Sequence, residues 1–199
     1  MRNPFRQGGR LIAAALLVSL TLAGCGSDEA AAPAPPPPPP AEAVPVTKPF
    51  DGLRPTQVRI PKINADSSLI SVTVNTEGEM AVPSAKQPMQ AAWYRLSPVP
   101  GETGPAILLG HVDGNKQPGI FFKLHELAEG DEILVNRSDG KELKFTVTKK
   151  QQVPKDRFPS DEIYADTTGP ELRVITCGGV FDKEEHSYKD NVVIWAKLV

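Results

Sequence analysis

The sequence has few cysteines, no large charge excess and no long apolar run, and each shortage excludes a class of protein. Only two of the 199 residues are cysteines, Cys25 and Cys177, which excludes a disulfide-stabilised scaffold. These two thiols and three scattered histidines also lack the ligand spacing of a zinc site, so we expect no metal. The formal net charge is −2, and no basic tract lies outside the first residues, which argues against a nucleic-acid surface. The N-terminal apolar run, residues 11–22, is shorter than the roughly 20 residues that cross a bilayer as a helix.

The N-terminus has the pattern of a secretion signal. Three arginines precede the apolar run, which ends in Leu22-Ala23-Gly24-Cys25. This ending resembles a bacterial lipobox, in which the signal peptide is cut before the cysteine and the new N-terminal cysteine is acylated. We therefore predict a signal peptide over residues 1–24 and lipidation of Cys25, which would anchor the protein at the outer face of the cytoplasmic membrane. An ordinary cleaved signal peptide that happens to contain a cysteine is the alternative.

Residues 25–51 are rich in alanine and proline and include six consecutive prolines, Pro35 to Pro40. Consecutive prolines favour the extended polyproline helix, which has no internal hydrogen bonds and rises about 3.1 Å per residue. We predict that this segment is a tether between the lipidated cysteine and a folded domain, with a disordered spacer as the alternative. Residues 52–199 then form one domain, which is long enough to bury a hydrophobic core.

The domain sequence alternates between short apolar runs and turn signals. The runs have the length of strands, are rich in β-branched residues, and span residues 57–60, 68–74, 106–109, 132–135, 143–148, 172–175 and 192–195. Glycines and prolines between the runs favour hairpins and loops. Only residues 120–127 and 160–164 have a helical pattern, and both stretches are short. We predict an all-β domain, either a barrel or a sandwich.

Cys177 is the first candidate for chemistry. If Cys25 is lipidated, Cys177 has no disulfide partner in its own chain, and a reactive thiol becomes plausible. It follows an apolar run at residues 172–175 and precedes Gly178 and Gly179, which remove side-chain bulk next to the sulfur. A buried structural thiol is an equally good interpretation of these facts alone.

A cysteine nucleophile needs a histidine, and His111 is the best of the three in the chain. It follows the apolar run 106–109, so it lies at a strand end, and in extended geometry Asp113 points to the same side and could orient its ring. Alternatively, Asp113 and Gly114 only form a turn. His125 lies in an apolar helical turn, which favours packing or surface exposure, and His186 lies in a charged loop typical of a solvated face.

These motifs resemble those of the sortase family, specifically its class F branch of actinobacteria. The two most specific segments read Leu109-Gly-His-Val-Asp-Gly114 and Val174-Ile-Thr-Cys-Gly-Gly179, and the similarity extends over residues 59–63, 104–114, 121–124, 130–131 and 172–182. The resemblance implies a closed eight-stranded β-barrel with short helices in the connections. It also implies that Cys177 ends the seventh strand.

The resemblance further implies a transpeptidase activity. Sortases cut a sorting motif of the Leu-Pro-x-Thr-Gly kind after its Thr, hold the acyl group as a thioester, and transfer it to an amine, usually from a peptidoglycan precursor. Cys177 would be the nucleophile, and His111 would protonate the leaving amine and deprotonate the incoming one. Thr176 and Gly178 would contact the peptide, and no cofactor would be needed. The expected partners are secreted proteins with the sorting motif, a cell-wall amine and, through the lipid anchor, the membrane.

One position departs from the family pattern. Sortases use an arginine near the start of the eighth strand to stabilise the oxyanion, and this chain has Lys189 in that region. A lysine supplies charge but not the two-pronged contact of a guanidinium, so we expect reduced activity. Arg173 and Arg95 are the other candidate cations, and Arg95 could instead hold the peptide or the barrel rim.

Two rival functions stay open. A sortase-like barrel that has lost turnover with its arginine would be an envelope-binding lipoprotein. An L,D-transpeptidase also uses cysteine and histidine, but its Ser-His-Gly-Cys cluster is missing from this sequence, in which Cys177 follows His111 by 66 positions.

Overall fold

The structure is a computed structural model that describes residues 52–75 and 78–199. The predicted signal peptide, Cys25 and the tether up to residue 51 lie outside the described residues. Within the described part of the chain, no helix is both long and apolar enough to span a membrane.

The domain contains ten strands and four short helical segments within residues 52–75 and 78–199. The strands are β1 (Pro55–Ile60), β2 (Ala65–Val72), β3 (Ala91–Tyr94), β4 (Gly104–Gly110), β5 (Asp113–Gly114), β6 (Gln117–Pro118), β7 (Glu132–Arg137), β8 (Glu142–Pro154), β9 (Pro170–Asp182) and β10 (Ser187–Leu198). The helical segments are one α-helix, α1 (Ser160–Tyr164), and three 3-10 turns at Pro61–Ile63, Leu124–Glu126 and Lys155–Arg157.

Eight of the strands close into a barrel in the order β1-β2-β3-β4-β9-β10-β8-β7. The pairs β2 with β3 and β4 with β9 are parallel, and the other neighbours are antiparallel. Strands β5 and β6 form a separate small hairpin. The predicted all-β fold and the closed eight-stranded barrel are therefore confirmed, and β9 is the seventh barrel strand in chain order.

The core has two parts because three strands are buried on both faces. Alternate residues of β4, β9 and β10, such as Leu108, Val174 and Ile194, pack inside the barrel with Phe121 and Phe145. The intervening residues pack outside the barrel against Ile163 of α1, and they include Ile107, Leu109, Ile175, Val193 and Trp195. Burial on both faces explains why these strands read as continuous apolar runs, whereas β1 and β8 alternate.

Three local details differ from the sequence predictions. Strand β3 was not predicted. Residues 113–114 are strand β5, and the turn of the hairpin is formed by Asn115 and Lys116, whose φ angles are 48° and 60°. Positive φ at both central residues is typical of a two-residue hairpin turn. Of the predicted helical stretch 120–127, only Leu124–Glu126 forms a 3-10 turn.

Candidate active site

Two neighbouring parallel strands bring the predicted histidine and cysteine to the same end of the barrel. Strands β4 and β9 are paired up to Leu109 and Ile175. His111 and Cys177 each follow two residues later, so the same register, if continued, sets them side by side. Adjacent strands of a sheet lie about 4.8 Å apart. The fold therefore brings two residues that are distant in sequence to the same end of the barrel, although Val112 and not His111 is among the described residues that line the Cys177 cavity.

Cys177 is a free, half-buried thiol in the wall of a cavity of about 360 Å³. Its neighbours Thr176, Gly178 and Gly179 also line the cavity. The remaining walls are mainly apolar or aromatic and are formed by Val112, Phe121, Phe122, His125, Gln152, Tyr188 and Val192. A cleft of this size with few polar groups is suited to hold a short peptide segment against the sulfur.

The ring of His111 is held by the backbone of a neighbouring loop. Its Nε2 atom lies 2.5 Å from the carbonyl oxygen of Pro83. A carbonyl oxygen can only accept a hydrogen bond, so Nε2 carries the proton and the neutral ring is left with Nδ1 as its basic atom. The loop therefore selects the tautomer in which Nδ1 is available for proton transfer.

The backbone of His111 is fixed by the segment that follows β6. Its carbonyl oxygen accepts from the amide of Phe121 at 3.0 Å. A Cβ atom at Gly119 would collide with the same carbonyl group, so only glycine permits this close approach. Phe121 is fully buried in the barrel core, and His111 is thereby tied to the most rigid part of the domain.

Asp113 contacts Tyr188, not the imidazole for which it was predicted. The Tyr188 hydroxyl donates to Asp113 Oδ2 at 2.5 Å. This hydrogen bond raises the pKa of Tyr188 to about 12, and burial and the charges of Asp113 and Cys177 act in the same direction. Among the described residues, the hydrogen bond of the His111 ring goes to Pro83, so the loop carbonyl occupies the place that the sequence suggested for Asp113.

Lys189 is turned away from the cavity that contains Cys177. Its Nζ lies 3.2 Å from Asp182 Oδ2, and it borders a second cavity of about 480 Å³. The β9–β10 register is irregular between Tyr188 and Asp190, and Tyr188, not Lys189, lines the cavity that contains Cys177. Backbone amides of Glu185 and Glu184 keep the pKa of Asp182 below its ordinary value, and Lys189 contributes less. The predicted oxyanion contact is therefore not formed in this structure.

Thr176 and the two glycines are placed where the sequence predicted them, beside the sulfur. Thr176 is 4% exposed, and its Oγ1 is buried with no hydrogen-bond partner among the described residues. Gly178 packs against β10, since a Cβ there would lie 2.8 Å from Cγ2 of Val192. Gly179 has a φ of +75°, and a side chain there would collide with the Asp190 carboxylate. The glycines therefore serve the close packing of β9 on β10 as well as access to the thiol.

The two other predicted cations lie elsewhere. Ala91 of β3 pairs with Gly110 at the end of the barrel that carries His111, and β3 then runs away from it. Arg95 is four residues beyond Ala91, or about 13 Å along an extended chain, and it is not among the described residues that line the Cys177 cavity. Its contact with the peptide stays a prediction. Arg173 is 3% exposed and donates to Glu171 at 2.8 Å on the outer side of the barrel.

Sequence reasoning missed two residues of the cavity. His125 lies in the 3-10 turn Leu124–Glu126 and lines the Cys177 cavity, although its helical pattern indicated packing or surface exposure. Tyr188 had no signal of its own in the sequence, because the family pattern concerns the oxyanion position, which was assigned to the neighbouring Lys189. Among the residues that the structure describes, no Lys or Arg lines this cavity. No group of three or more His, Cys, Asp and Glu that could hold a metal occurs in residues 52–75 and 78–199.

The fold is similar to several solved sortases at low identity. Sortase C1 of Streptococcus agalactiae, solved in complex with MTSET, gives a TM-score of 0.55 at 18% identity, over 72% of this chain and 66% of that chain. A lid mutant of sortase A from Corynebacterium diphtheriae gives 0.56 at 19% identity, over 73% and 69%. Sortase C-1 from Actinomyces oris gives 0.55 at 19% identity, over 72% and 71%. This chain thus spans only about two thirds of the length of these structures.

The sequence comparison agrees with the fold. No curated protein matches the chain by sequence. The solved structures are of the A and C types, so the finer resemblance to class F stays a prediction. The family model of the sortase domain matches residues 58–199, which include the second half of β1, the other seven barrel strands and both residues of the cysteine and histidine pair. A barrel of this topology, with a free thiol at its rim and a match over most of the chain, means that the chain belongs to the sortase family.

Proposed function

We propose that this protein is a cysteine transpeptidase of the class F type that acts at the outer face of the cytoplasmic membrane. The observation that supports this most is the parallel pairing of β4 and β9, which directs His111 and Cys177 to one end of the barrel. The available Nδ1 of His111 and the half-buried thiol in an apolar cleft agree with nucleophilic catalysis. Lipidation of Cys25 and the polyproline tether would hold the domain at the membrane.

The proposed reaction has two balanced steps. Nδ1 of His111 takes the proton of the Cys177 thiol as the sulfur attacks the Thr carbonyl of a Leu-Pro-x-Thr-Gly motif and the C–S bond forms. The C–N bond of the Thr-Gly peptide then breaks as His111 passes that proton to the leaving amine. An incoming amine, such as that of a peptidoglycan precursor, attacks the thioester and the new C–N bond forms. His111 takes the proton of this amine, the C–S bond breaks, and the proton returns to the departing sulfur.

Stabilisation of the oxyanion is the open part of this proposal. The Lys189 role predicted from the family would require Lys189 to leave Asp182 and turn toward the cavity. Their ion pair is solvent-exposed on the lysine side, and exposed pairs contribute little to stability, so such a movement costs little. The second candidate donor is the hydroxyl of Thr176, which is buried with no hydrogen-bond partner among the described residues and belongs to a residue that lines the Cys177 cavity.

The test is acyl transfer by the purified domain. We expect incubation with a Leu-Pro-x-Thr-Gly peptide and hydroxylamine to yield the peptidyl hydroxamate, detected by mass. Cys177→Ala should abolish this product and change the unfolding free energy by only about 1 kcal/mol, because the thiol is half-buried at the rim. No hydroxamate from the parent, or a large loss of stability in Cys177→Ala, would contradict the proposal.

One observation favours a second function. Within the described part of the chain, no Lys or Arg lines the cavity, which agrees with a catalytically weak or inactive envelope-binding lipoprotein that keeps the peptide groove. In that case the peptide would bind without yielding hydroxamate. Membership of the sortase family leaves the L,D-transpeptidase alternative without support, and release of D-alanine from peptidoglycan stem peptides is its direct test.

A further inference from the structure

The barrel itself does not fix the spacing of the two candidate catalytic residues. The backbone ladder between β4 and β9 extends to Leu109 and Ile175 in the described residues. His111 and Cys177 lie two residues beyond it, where β4 ends and β9 continues as a hairpin with β10. Transfer of a proton between two side chains is sensitive to displacements of about 1 Å. Another contact must therefore set this distance.

One side-chain hydrogen bond connects the segment that follows His111 with the hairpin that carries Cys177, and we call the space between these two segments the gap. Asp113 lies in β5, two residues after His111, and Tyr188 lies at the start of β10, on the hairpin that carries Cys177. The Tyr188 hydroxyl donates to Asp113 Oδ2 at 2.5 Å. A hydrogen bond to an ionised carboxylate is about twice as strong as one between neutral groups. We call this pair the Asp113–Tyr188 clasp.

Both ends of the clasp are anchored. Asp113 pairs with Pro118 in the small hairpin, and Gly119, the next residue, packs on the His111 carbonyl group. The Tyr188 ring packs edge-on against Phe181, with 5.1 Å between the centroids, and Tyr188 also pairs with Phe181 across β9 and β10. A movement of Tyr188 toward or away from Asp113 therefore carries the Cys177 hairpin with it.

The electrostatic environment of Tyr188 agrees with this position. The hydrogen bond with Asp113 is the main reason that its pKa is raised to about 12, and Cys177 is one of the charges that act on it. The phenol therefore stays protonated, and able to donate, throughout the pH range in which a cysteine and a histidine exchange protons. The two charged groups that act on Tyr188, Asp113 and Cys177, lie in β5 and β9, on opposite sides of the gap.

We propose that Tyr188 is a positioning residue, which, through the Asp113–Tyr188 clasp, holds Cys177 at the distance from His111 that proton transfer requires. This inference rests on the proposed cysteine chemistry. Asp113 would then influence His111 indirectly, by setting its distance from Cys177. The start of β10 would contribute to the site through Tyr188, independently of Lys189. Tyr188→Phe is the natural probe, since it keeps the ring that lines the cavity and removes only the hydroxyl.

The first experiment is a double-mutant cycle on acyl transfer. We expect Tyr188→Phe and Asp113→Ala each to lower kcat about tenfold with little change in KM, because a charge-assisted hydrogen bond is lost while the apolar walls remain. The double variant should be no slower than either single variant, since both remove the same contact. Tyr164→Phe, whose ring borders a different cavity, is the matched control and should keep the parent kcat. Unchanged kcat in Tyr188→Phe, or additive losses in the cycle, would overturn the proposal.

The second experiment does not need turnover. Alkylation of Cys177 by iodoacetamide should be slower in Tyr188→Phe and Asp113→Ala, because the thiol loses the support of His111. Faster alkylation would mean that the clasp only covers the cavity, and an unchanged rate would mean that it does not affect the thiol; either result overturns the proposal. If the parent transfers no acyl group but alkylation slows as expected, the transpeptidase function fails while the positioning role stands.

A third measurement checks the clasp itself. In the parent, the Cζ signal of Tyr188 should not titrate up to about pH 10, because its pKa is raised to about 12. Asp113→Ala removes the largest cause of that shift, so titration should begin nearer the ordinary tyrosine value of about 10. A Tyr188 signal that titrates identically in both proteins would show that the clasp is not formed in solution.

Discussion

His111 and His125 approach Cys177 in different ways, and the two histidines can be separated by experiment. His111 continues the strand that is paired with that of Cys177, and its ring is fixed by Pro83. His125 lines the Cys177 cavity from an exposed 3-10 turn, with no side-chain hydrogen bond described for its ring. A group held in one orientation is better suited to repeated proton transfer than one that is free to rotate.

We therefore predict that His111→Ala lowers kcat/KM for acyl transfer by roughly 10² to 10⁴, the range for loss of a general acid and base. His125→Ala should stay close to the parent, with any change in KM because it lines the cavity. Steady-state kinetics with the sorting peptide measures both. If His125→Ala has the larger loss in kcat, the proton-transfer role belongs to the residue that the sequence analysis set aside.

For single residues, the sequence indicates which side chains are candidates for the site better than it indicates which partners those side chains contact. Cys177 and His111 could be predicted as candidates because a preceding apolar run, a family motif and, for Cys177, two adjacent glycines mark them, although β9 continues past Cys177 to Asp182. The partners of Asp113 and Lys189 could not be predicted, since the irregular register between Tyr188 and Asp190 decides that Tyr188 and not Lys189 lines the Cys177 cavity. Such an irregularity depends on how two strands pair and leaves no clear signal in either strand alone.

The β9–β10 hairpin is the element on which the site depends most. Its glycines permit an approach that no other residue would allow, and Gly179 combines a φ of +75° with direct contact to the Asp190 carboxylate. Asp190 in turn accepts a hydrogen bond from Gln152 of β8 at 2.6 Å. A side chain at position 179 would thus disturb both the backbone and the contact between β8 and β10.

We predict that Gly179→Ala destabilises the domain more than Gly130→Ala does. Gly130 also has a positive φ, of +90°, but a Cβ there meets nothing within 4 Å. Gly130→Ala should cost about 1 to 2 kcal/mol, the strain of a left-handed residue. Gly179→Ala adds a steric conflict, for a total of about 2 to 4 kcal/mol. Urea unfolding of both variants measures the difference, and equal losses would show that Asp190 moves aside freely.

Strand prediction followed the distribution of apolar side chains. Seven of the eight barrel strands contain a run that the sequence identified, because each buries at least one face. Strand β3 was missed, since Ala91–Tyr94 is four residues long and half of it is alanine, which has low strand preference. The order of the strands could not be predicted from the runs, and the family resemblance implied only that eight strands close into a barrel.

At the scale of the whole molecule, the proposed position of the enzyme depends on Cys25, which lies outside the described residues. The 12-residue run that precedes it is too short to span the bilayer, so an acyl chain would have to supply the membrane affinity. The domain would then work on substrates that emerge from the membrane within reach of its tether.

We predict that the full-length protein partitions into the membrane and detergent fractions, and that Cys25→Ser releases it into the soluble fraction. Mass analysis of the mature parent should show a processed N-terminus at Cys25 with attached acyl chains. Cys177→Ser serves as the control, since it changes the other cysteine and should leave partitioning unaltered. A soluble parent, cleaved at another site, would mean that the leader is an ordinary signal peptide.

The parallel ladder between β4 and β9 has a consequence for the folding of the enzyme. It joins two segments that are distant in the chain, and contacts of this kind form slowly because a long loop must close first. A partly folded chain would carry a cysteine without its neighbouring imidazole. The thiol would therefore become strongly nucleophilic only late in folding. If the leader directs the chain to secretion as proposed, molecules that have not yet folded would react slowly with other proteins on that route.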